Sequence, residues 1–525
     1  MRRKSIRNAA VLATGLALLV PLTLTAQEED RYEVGRALPP LDPGKTLVNL
    51  SLQDAIDRAL EMNLDIQTVR LNPQIQRYSL RAAQAAFSPT FSSNLSHNNA
   101  SSQSTSQLDG GIRTSTERQN FNSSISQTLP WYGSRVTANF NNNRTETNNA
   151  FSIRNPSYSS TLNFNLTQPL LSGLRTDNQR AALKTQEIQG EITDLQVLSQ
   201  VTNLTEQVRS AYWNLRAAIE QIEIQRRNLA QAQELLERNR LRVQLGSMSE
   251  LQVFQAEAQV ASAEQSLLNA EIQWRNLELQ FKRLLVGGSD DPLLQQTLNP
   301  TDLPVISEPV VDIQAAIETA LAQRTDVRQQ QQQREISELN LEVTRDNARP
   351  TFNLSAGYSL QGVGGDLYER QGIGGVPILV ERGGYVDGLN SIVGRDAPTW
   401  SVSLNFSYPI GTNASKANLE RARLQIRQSD LALRSQELGI VTEVTNAGLA
   451  VNDTYLQLLA ARRSRAVTER SAEVELARFA VGASTNYEVA QAQNALTSAR
   501  LSELRALIGH VNAIAEFERV QRVGR

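Results

Sequence analysis

The chain has 525 residues, 40% hydrophobic and 5% aromatic, with 52 Lys and Arg against 54 Asp and Glu and a net charge of -2. That balance excludes the basic footprint of a nucleic-acid binder. Zero cysteines and only two histidines, His97 and His510, remove disulfides, thiolate sites and histidine-rich metal centres, so neither an enzyme nor a cofactor is expected.

The first element is an address. Arg2, Arg3, Lys4 and Arg7 precede an apolar stretch from Ala9 to Leu24, and Ala26 supplies a small residue before Gln27. This reads as a signal peptide over 1–26, followed by an extended segment over 27–50. No cysteine follows the cut, so a lipoprotein anchor is excluded. No later run approaches 18 unbroken apolar residues, the usual sign of a spanning helix.

Residues 51–286 form a first unit. Ser51 caps a helix expected over 51–87, ahead of Pro89. Strands follow over about 90–170. Leu162, Phe164 and Leu166 alternate with Asn163, Asn165 and Thr167, and weaker versions contain Phe91, Leu95, Phe121 and Ile125. The segment Leu129-Pro130-Trp131-Tyr132-Gly133 reads as a turn before Val136, Ala138 and Phe140, so this half offers two strands or four. A long helix is expected over 177–245 and a shorter one over 249–285. Within the long helix Val201, Leu204, Val208, Ala211, Leu215, Ala218, Ile222, Gln225, Leu229, Ala232, Leu236, Asn239 and Val243 alternate spacings of three and four. That is a coiled-coil seam, and a helix of this length spans roughly 100 Å.

Residues 287–312 read as an equatorial linker. The second unit, 313–520, carries helices over 313–347, 416–480 and 485–508, and strands over about 351–360 and 400–410. The segment 509–525 closes the chain. Phe352, Leu354, Ala356, Tyr358 and Leu360 alternate with small polar residues, as do Val402, Leu404, Phe406 and Tyr408. Residues 361–396, rich in Gly, read as a mobile exposed loop.

The two units are copies. Gln53, Ala55, Ile56, Ala59, Leu60, Asp65, Ile75, Leu80, Pro89, Thr90 and Phe91 recur at an offset of 261. Arg242, Gly246, Val253, Gln255 and Ala256 recur at 236. A third match pairs Leu162 to Leu170 with Val402 to Ile410.

One apolar and one small polar face is the pattern of a transmembrane β-barrel strand. A half-buried soluble sheet shows the same alternation; the leader and the lack of spanning helices favour the barrel. Four to six strands cannot close a barrel alone, so several chains must share one.

Leader, duplicated helix–strand–helix units, very long helices and an incomplete barrel together resemble the TolC family of outer-membrane efflux proteins. The most specific residues are the turn Arg242-Val243-Gln244-Leu245-Gly246-Ser247 and its copy Arg478-Phe479-Ala480-Val481-Gly482-Ala483. The resemblance implies a mainly α fold with β: a coiled-coil α-helical tunnel in the periplasm, continuous with a transmembrane β-barrel shared between protomers. It implies a homotrimer in outer-membrane lipid with four strands per chain. The trimer would work with a periplasmic adaptor and an inner-membrane pump of the RND, ABC or MFS type, as an exit duct for efflux or type I secretion.

It also implies that Arg242, Leu245, Gly246 and Ser247, with Arg478, Val481, Gly482 and Ala483, dock the adaptor. Ser484, Glu488 and Gln491 fall at the periplasmic constriction. Gln491 stands where a second acid is common and Ser484 where the best-known member is basic, so a tight double-acid gate is not expected. The other readings are a periplasmic coiled-coil adaptor and a structural coiled-coil envelope protein. The duplication and the paired strand blocks argue against both.

Overall fold

The computed structural model describes residues 37–521, apart from 42–43, 106–110, 150, 305, 307, 373–374, 409 and 412. The expected leader, its cut at Ala26 and residues 27–36 lie outside the described residues.

The duplication is visible as matched helices. The first unit holds α1 (Leu52–Met62), α2 (Leu64–Ala85), α3 (Asn178–Gln244) and α4 (Glu250–Leu285). The second holds α5 (Ile313–Gln323), α6 (Thr325–Asn347), α8 (Ala414–Ala480) and α9 (Asn486–Gln521). Both long helices have 67 residues, and both partners after the turn have 36. At 1.5 Å per residue the long pair spans about 100 Å. Asp177 and Asn413 cap them by accepting the N–H of Arg180 and Lys416, satisfying donors that a helix start leaves orphaned.

The helices expected over 51–87 and 313–347 are each broken once. Asn63 turns to extended backbone (ψ 125°), and its side-chain oxygen accepts the N–H of Asp65 and Ile66. Its amide donates to the Leu284 carbonyl, 3.2 Å away, tying the break to the end of α4. The equivalent break is at Arg324 (ψ 135°), whose guanidinium pairs with Asp326 at 2.8 Å and Glu443 at 2.6 Å. A short polar side chain competes with the helix backbone for its own donors, which accounts for the break at Asn63; Arg324 makes no such side-chain cap bond. In the other direction, α9 runs to Gln521 instead of stopping near 508, because Leu504, Leu507, Ile508, Ala515 and Val520 stay buried.

The seam of α3 is the main core. Leu204, Val208, Leu215, Ala218, Ile222, Gln225, Ala232, Leu236 and Asn239 are all buried. In α8, Val444, Val451 and Leu458 continue it, fully or nearly buried. At Arg465 the apolar column gives way to a polar layer, with Arg465 on Glu503 at 2.5 Å and Arg500 on Glu469 at 2.6 Å.

The waist is a knot of buried charge. Strand β1 (Leu47–Leu50) pairs in parallel with β6 (Thr297–Pro300), which lies in the expected linker. Arg216, 3% exposed, meets Glu220, fully buried, at 2.8 Å and donates to the carbonyls of Ala37 and Pro300. Glu278 accepts the Leu298 N–H and pairs with Lys282. Tyr212 stacks edge-on against Phe281 and donates to the Leu50 carbonyl; burial pushes its hydroxyl up to about 12.

Six strands form one antiparallel sheet beyond the helix ends: β2 (Thr90–Gln103), β3 (Arg113–Thr128), β4 (Arg135–Thr147), β5 (Ser157–Pro169), β7 (Thr351–Gly364) and β10 (Pro398–Ser407). Their spatial order is β10-β7-β5-β4-β3-β2. The first unit thus supplies four strands, two more than the second, and the chain exceeds the four that the resemblance implies. The turn between β3 and β4 is closed by the Leu129 N–H on the Ser134 carbonyl. It packs on the start of α3, where a Cβ on Gly133 would lie 2.5 Å from the Gly173 carbonyl oxygen.

The stretch 361–396 is not a bare loop. β7 runs on to Gly364, β8 (Leu367–Arg370) pairs with β9 (Pro377–Glu381), and α7 (Tyr385–Gly394) lies across β7 and β5. The glycines that suggested mobility allow close contact instead. A Cβ on Gly362 would lie 1.8 Å from the Gly388 carbonyl oxygen, and one on Gly364 would lie 2.0 Å from that of Gly384.

Candidate functional site

Unbroken register lets each face of the sheet be read across all six strands. One row runs Phe91, Ile125, Ala138, Phe164, Tyr358, Trp400. With Leu95, Phe121, Phe140, Leu162, Leu166, Leu354, Val402, Leu404 and Phe406 of the same parity, it makes a continuous apolar belt. Much of that belt is exposed: Trp400 at 75%, Phe406 at 67%, Phe91 at 66%. The opposite face runs Ser92, Ser124, Asn139, Asn163, Ser359, Thr399, and beside it Thr90, Ser126, Thr137, Asn165, Gly357, Ser401. These rows carry hydroxyls and amides but no charge. A sheet this apolar on one side and hydrated on the other is matched to lipid outside and water inside.

The outer strands, β2 and β10, are each paired on one side only. Every residue of β2 and of β10 is exposed. An open edge inside hydrocarbon would leave its backbone N–H and C=O groups without partners, each at a cost of several kcal/mol. Strand directions alternate across the sheet, so β2 and β10 run oppositely, as an antiparallel pair between two copies requires.

At the far end of the long helices lie the two turns. Gly246 has φ 71° and Gly482 has φ 77°, values that suit glycine. The Gly246 N–H donates to the Val243 carbonyl and the Ser247 N–H to that of Arg242, both at 2.9 Å. Gly482 and Ala483 donate in the same way to Phe479 and Arg478, at 3.1 and 2.8 Å. This double bond with a left-handed residue is the Schellman motif. Around it the side chains differ. Arg478 donates to the Ala483 carbonyl at 3.2 Å, whereas the Arg242 guanidinium lies over the Phe479 ring, 4.6 Å from its centre, and links the two turns. Leu235, Phe479 and Val489 are buried beneath them, while Leu245 and Val481 stand 74% and 81% exposed. Nothing lies within 4 Å of a Cβ built on either glycine.

Ser484 lies two residues before α9, and Glu488 and Gln491 lie in its first two turns. Glu488 accepts the Thr485 N–H at 2.8 Å, and the Thr485 hydroxyl lies 3.3 Å from the Glu488 N–H, a reciprocal capping box. These bonds, with one from Ser484, hold its carboxyl below the usual Glu range. Ser484 also donates to Glu475. Gln491 is exposed one turn on. The capping partner Thr485 was missed from sequence, although Thr485-x-x-Glu488 is itself the signature of such a box.

Also missed was Glu206 near the waist. Burial, with the Glu516 carboxylate adding to it, pushes its carboxyl up to about 7. Among the described residues no helix is long and apolar enough to cross a membrane, which says nothing of the strands.

Comparison with known proteins gives the same architecture a family. The family model described as outer membrane efflux protein matches residues 135–287 and 316–513. Solved structures of similar fold include the outer-membrane channel OprN, at 17% identity and TM-score 0.65 with 90% of each chain covered. The CmeC channel of Campylobacter jejuni matches at 16% and 0.63, covering 90% of this chain and 86% of its own. The open MtrE channel of Neisseria gonorrhoeae matches at 18% and 0.59, covering 90% and 88%. Among curated protein sequences there is no match. The chain belongs to the outer membrane efflux protein family, the TolC-type exit ducts that sit in the outer membrane with their helical tunnel in the periplasm.

Proposed function

We propose that three copies of this chain close one barrel and one tunnel, each β2 pairing with the β10 of its neighbour. The observation that carries this is a six-stranded sheet with one apolar face and two open, antiparallel edges, mounted on helices of 67 residues. Three such sheets make eighteen strands, enough for a wide water-filled pore.

The trimer is the exit duct for a periplasmic adaptor and an inner-membrane pump of the RND, ABC or MFS type. Its helical tips dock the adaptor through Leu245-Gly246-Ser247 and Val481-Gly482-Ala483. Support comes from exposed Leu245 and Val481 flanking glycines with open space above them, so another backbone can come close. Arg242 and Arg478 fix the two turns. Ser484, Glu488 and Gln491 set the entrance, with the charge of Glu488 favouring cations.

Purified full-length protein in a planar bilayer tests the duct. Steady conductance from a heat-sensitive oligomer supports it; a monomer that inserts and folds alone would sink it.

A further inference from the structure

The helix α7 is placed where a simple barrel has nothing. It packs on the same face of the sheet as the apolar belt. Gly362 and Gly364, whose Cβ positions point at Gly388 and Gly384, share the parity of Leu360 and Tyr358. Tyr385 donates to the Asn142 side chain at 3.0 Å and stacks edge-on with Tyr158, 6.2 Å between ring centres. Asn142 and Tyr158 share the parity of Phe140 and Leu162.

The belt ends directly below. On β4, β5 and β7 the last apolar residues are Phe140, Leu162 and Leu360. The next row is Asn142, Ser160 and Gly362. That row lies about 7 Å further up at the usual rise of two strand residues. Left bare, it would put polar groups against lipid. Instead α7 covers it: Ser160 is fully buried and Asn142 is 6% exposed. Gly388 and Ile392 face the sheet. On the other side of α7, Val386 and Val393, two turns apart, stand 64% and 82% exposed. The helix sits over β5 and β7, two inner strands, far from the β2 edge and one strand in from the β10 edge.

We propose that α7 is an interfacial helix on the outside of the barrel, lying at the boundary between acyl chains and headgroups of the outer leaflet. An outer face that mixes exposed Val386 and Val393 with exposed Asp387 and Asn390, a sheet-facing side of glycine and isoleucine, and tyrosines at the border suit a boundary where apolar and polar groups are both met. The inference rests on reading the sheet as a lipid-exposed barrel. It gives the extracellular insert of the second unit a role: it seals polar residues above the belt and fixes the height of the barrel in the membrane.

The cysteine-free chain allows a direct test. Single spin labels at Val386→Cys and Val393→Cys are compared with Leu404→Cys on the belt and Asn163→Cys on the polar face. The full-length protein is reconstituted in phosphatidylethanolamine and phosphatidylglycerol vesicles. The two α7 labels should collide with lipid-dissolved oxygen more than with a water-soluble nickel chelate, as at Leu404, with the order reversed at Asn163. Adding Gly362→Val should dislodge α7 and reverse the ratio at residue 393 while leaving Leu404 unchanged. If the α7 labels behave like Asn163 while Leu404 reports lipid, the proposal for α7 is wrong. If Leu404 itself reports water, the barrel reading falls and α7 falls with it.

Discussion

Replacing both tip glycines separates backbone strain from loss of the docking surface. Gly246 and Gly482 have φ 71° and 77°, and nothing lies within 4 Å of a Cβ at either place. An alanine therefore meets no clash and carries only the left-handed backbone penalty, about 1–2 kcal/mol per site. That strain stays local, because Leu235, Phe479 and Val489 are buried just beneath the turns and hold the helix ends together. A tryptophan adds a similar backbone cost and also fills the open space a partner backbone would use. Blocking a central contact of an interface costs about 2 kcal/mol or more, which is roughly a 30-fold loss of affinity. The assay measures binding of the purified trimer to its adaptor, together with export in cells. The variant Gly246→Ala with Gly482→Ala should assemble and export nearly as the parent does. Gly246→Trp with Gly482→Trp should assemble equally well, bind at least an order of magnitude more weakly and fail to export. Equal binding and export by the two variants, at equal protein levels, would refute the docking argument.

Three further outcomes follow from single groups. The Glu206 carboxyl titrates near 7 in the folded protein against an ordinary 4.5, so the folded state holds this proton more tightly. Stability is full below about 4.5 and is lost as pH rises to about 7; with the group partly solvated, the loss is about 1 kcal/mol. Glu206→Gln should therefore raise the dissociation temperature at pH 8 and leave it unchanged at pH 4.5; equal shifts at both would count against the burial argument. Arg216→Met removes the guanidinium from fully buried Glu220 and should cost about 3–5 kcal/mol, read as dissociation of the oligomer at lower temperature, with Glu220→Leu in the same chain restoring most of it. Glu488→Gln should weaken cation preference in bilayer recordings, most clearly at low salt where screening is weak; unchanged selectivity would confine Glu488 to its capping bonds.

The helical half of the molecule was legible because its physics is local and repeated. Val201 to Val243 alternates three and four, and each of those residues is buried or half-buried in the packed seam. The glycines at 246 and 482 mark the tips because no other residue takes that backbone cheaply. The breaks at Asn63 and Arg324 were not legible. Each is held by a contact far along the chain, with Leu284 and with Glu443. The sheet was half legible. Alternation in Leu162 to Thr167 is plain, but β2 from Thr90 to Gln103 is mostly Ser and Asn, with Phe91 and Leu95 its only large apolar residues. Its strand state depends on pairing with β3. The segment 361–396 misled most. Glycine supplies both mobility and close approach, and only the spacing of Gly362 and Gly364 on one face of β7 separates the two.

The central claim is that the chain's two open sheet edges close against other copies of itself. Electron cryomicroscopy of the full-length protein in lipid nanodiscs measures this directly. The account predicts three chains around one axis, β2 of each hydrogen-bonded to β10 of the next, in a barrel of eighteen strands. A sheet closed within one chain, or a trimer whose β2–β3 hairpin lies outside the barrel wall, would contradict it.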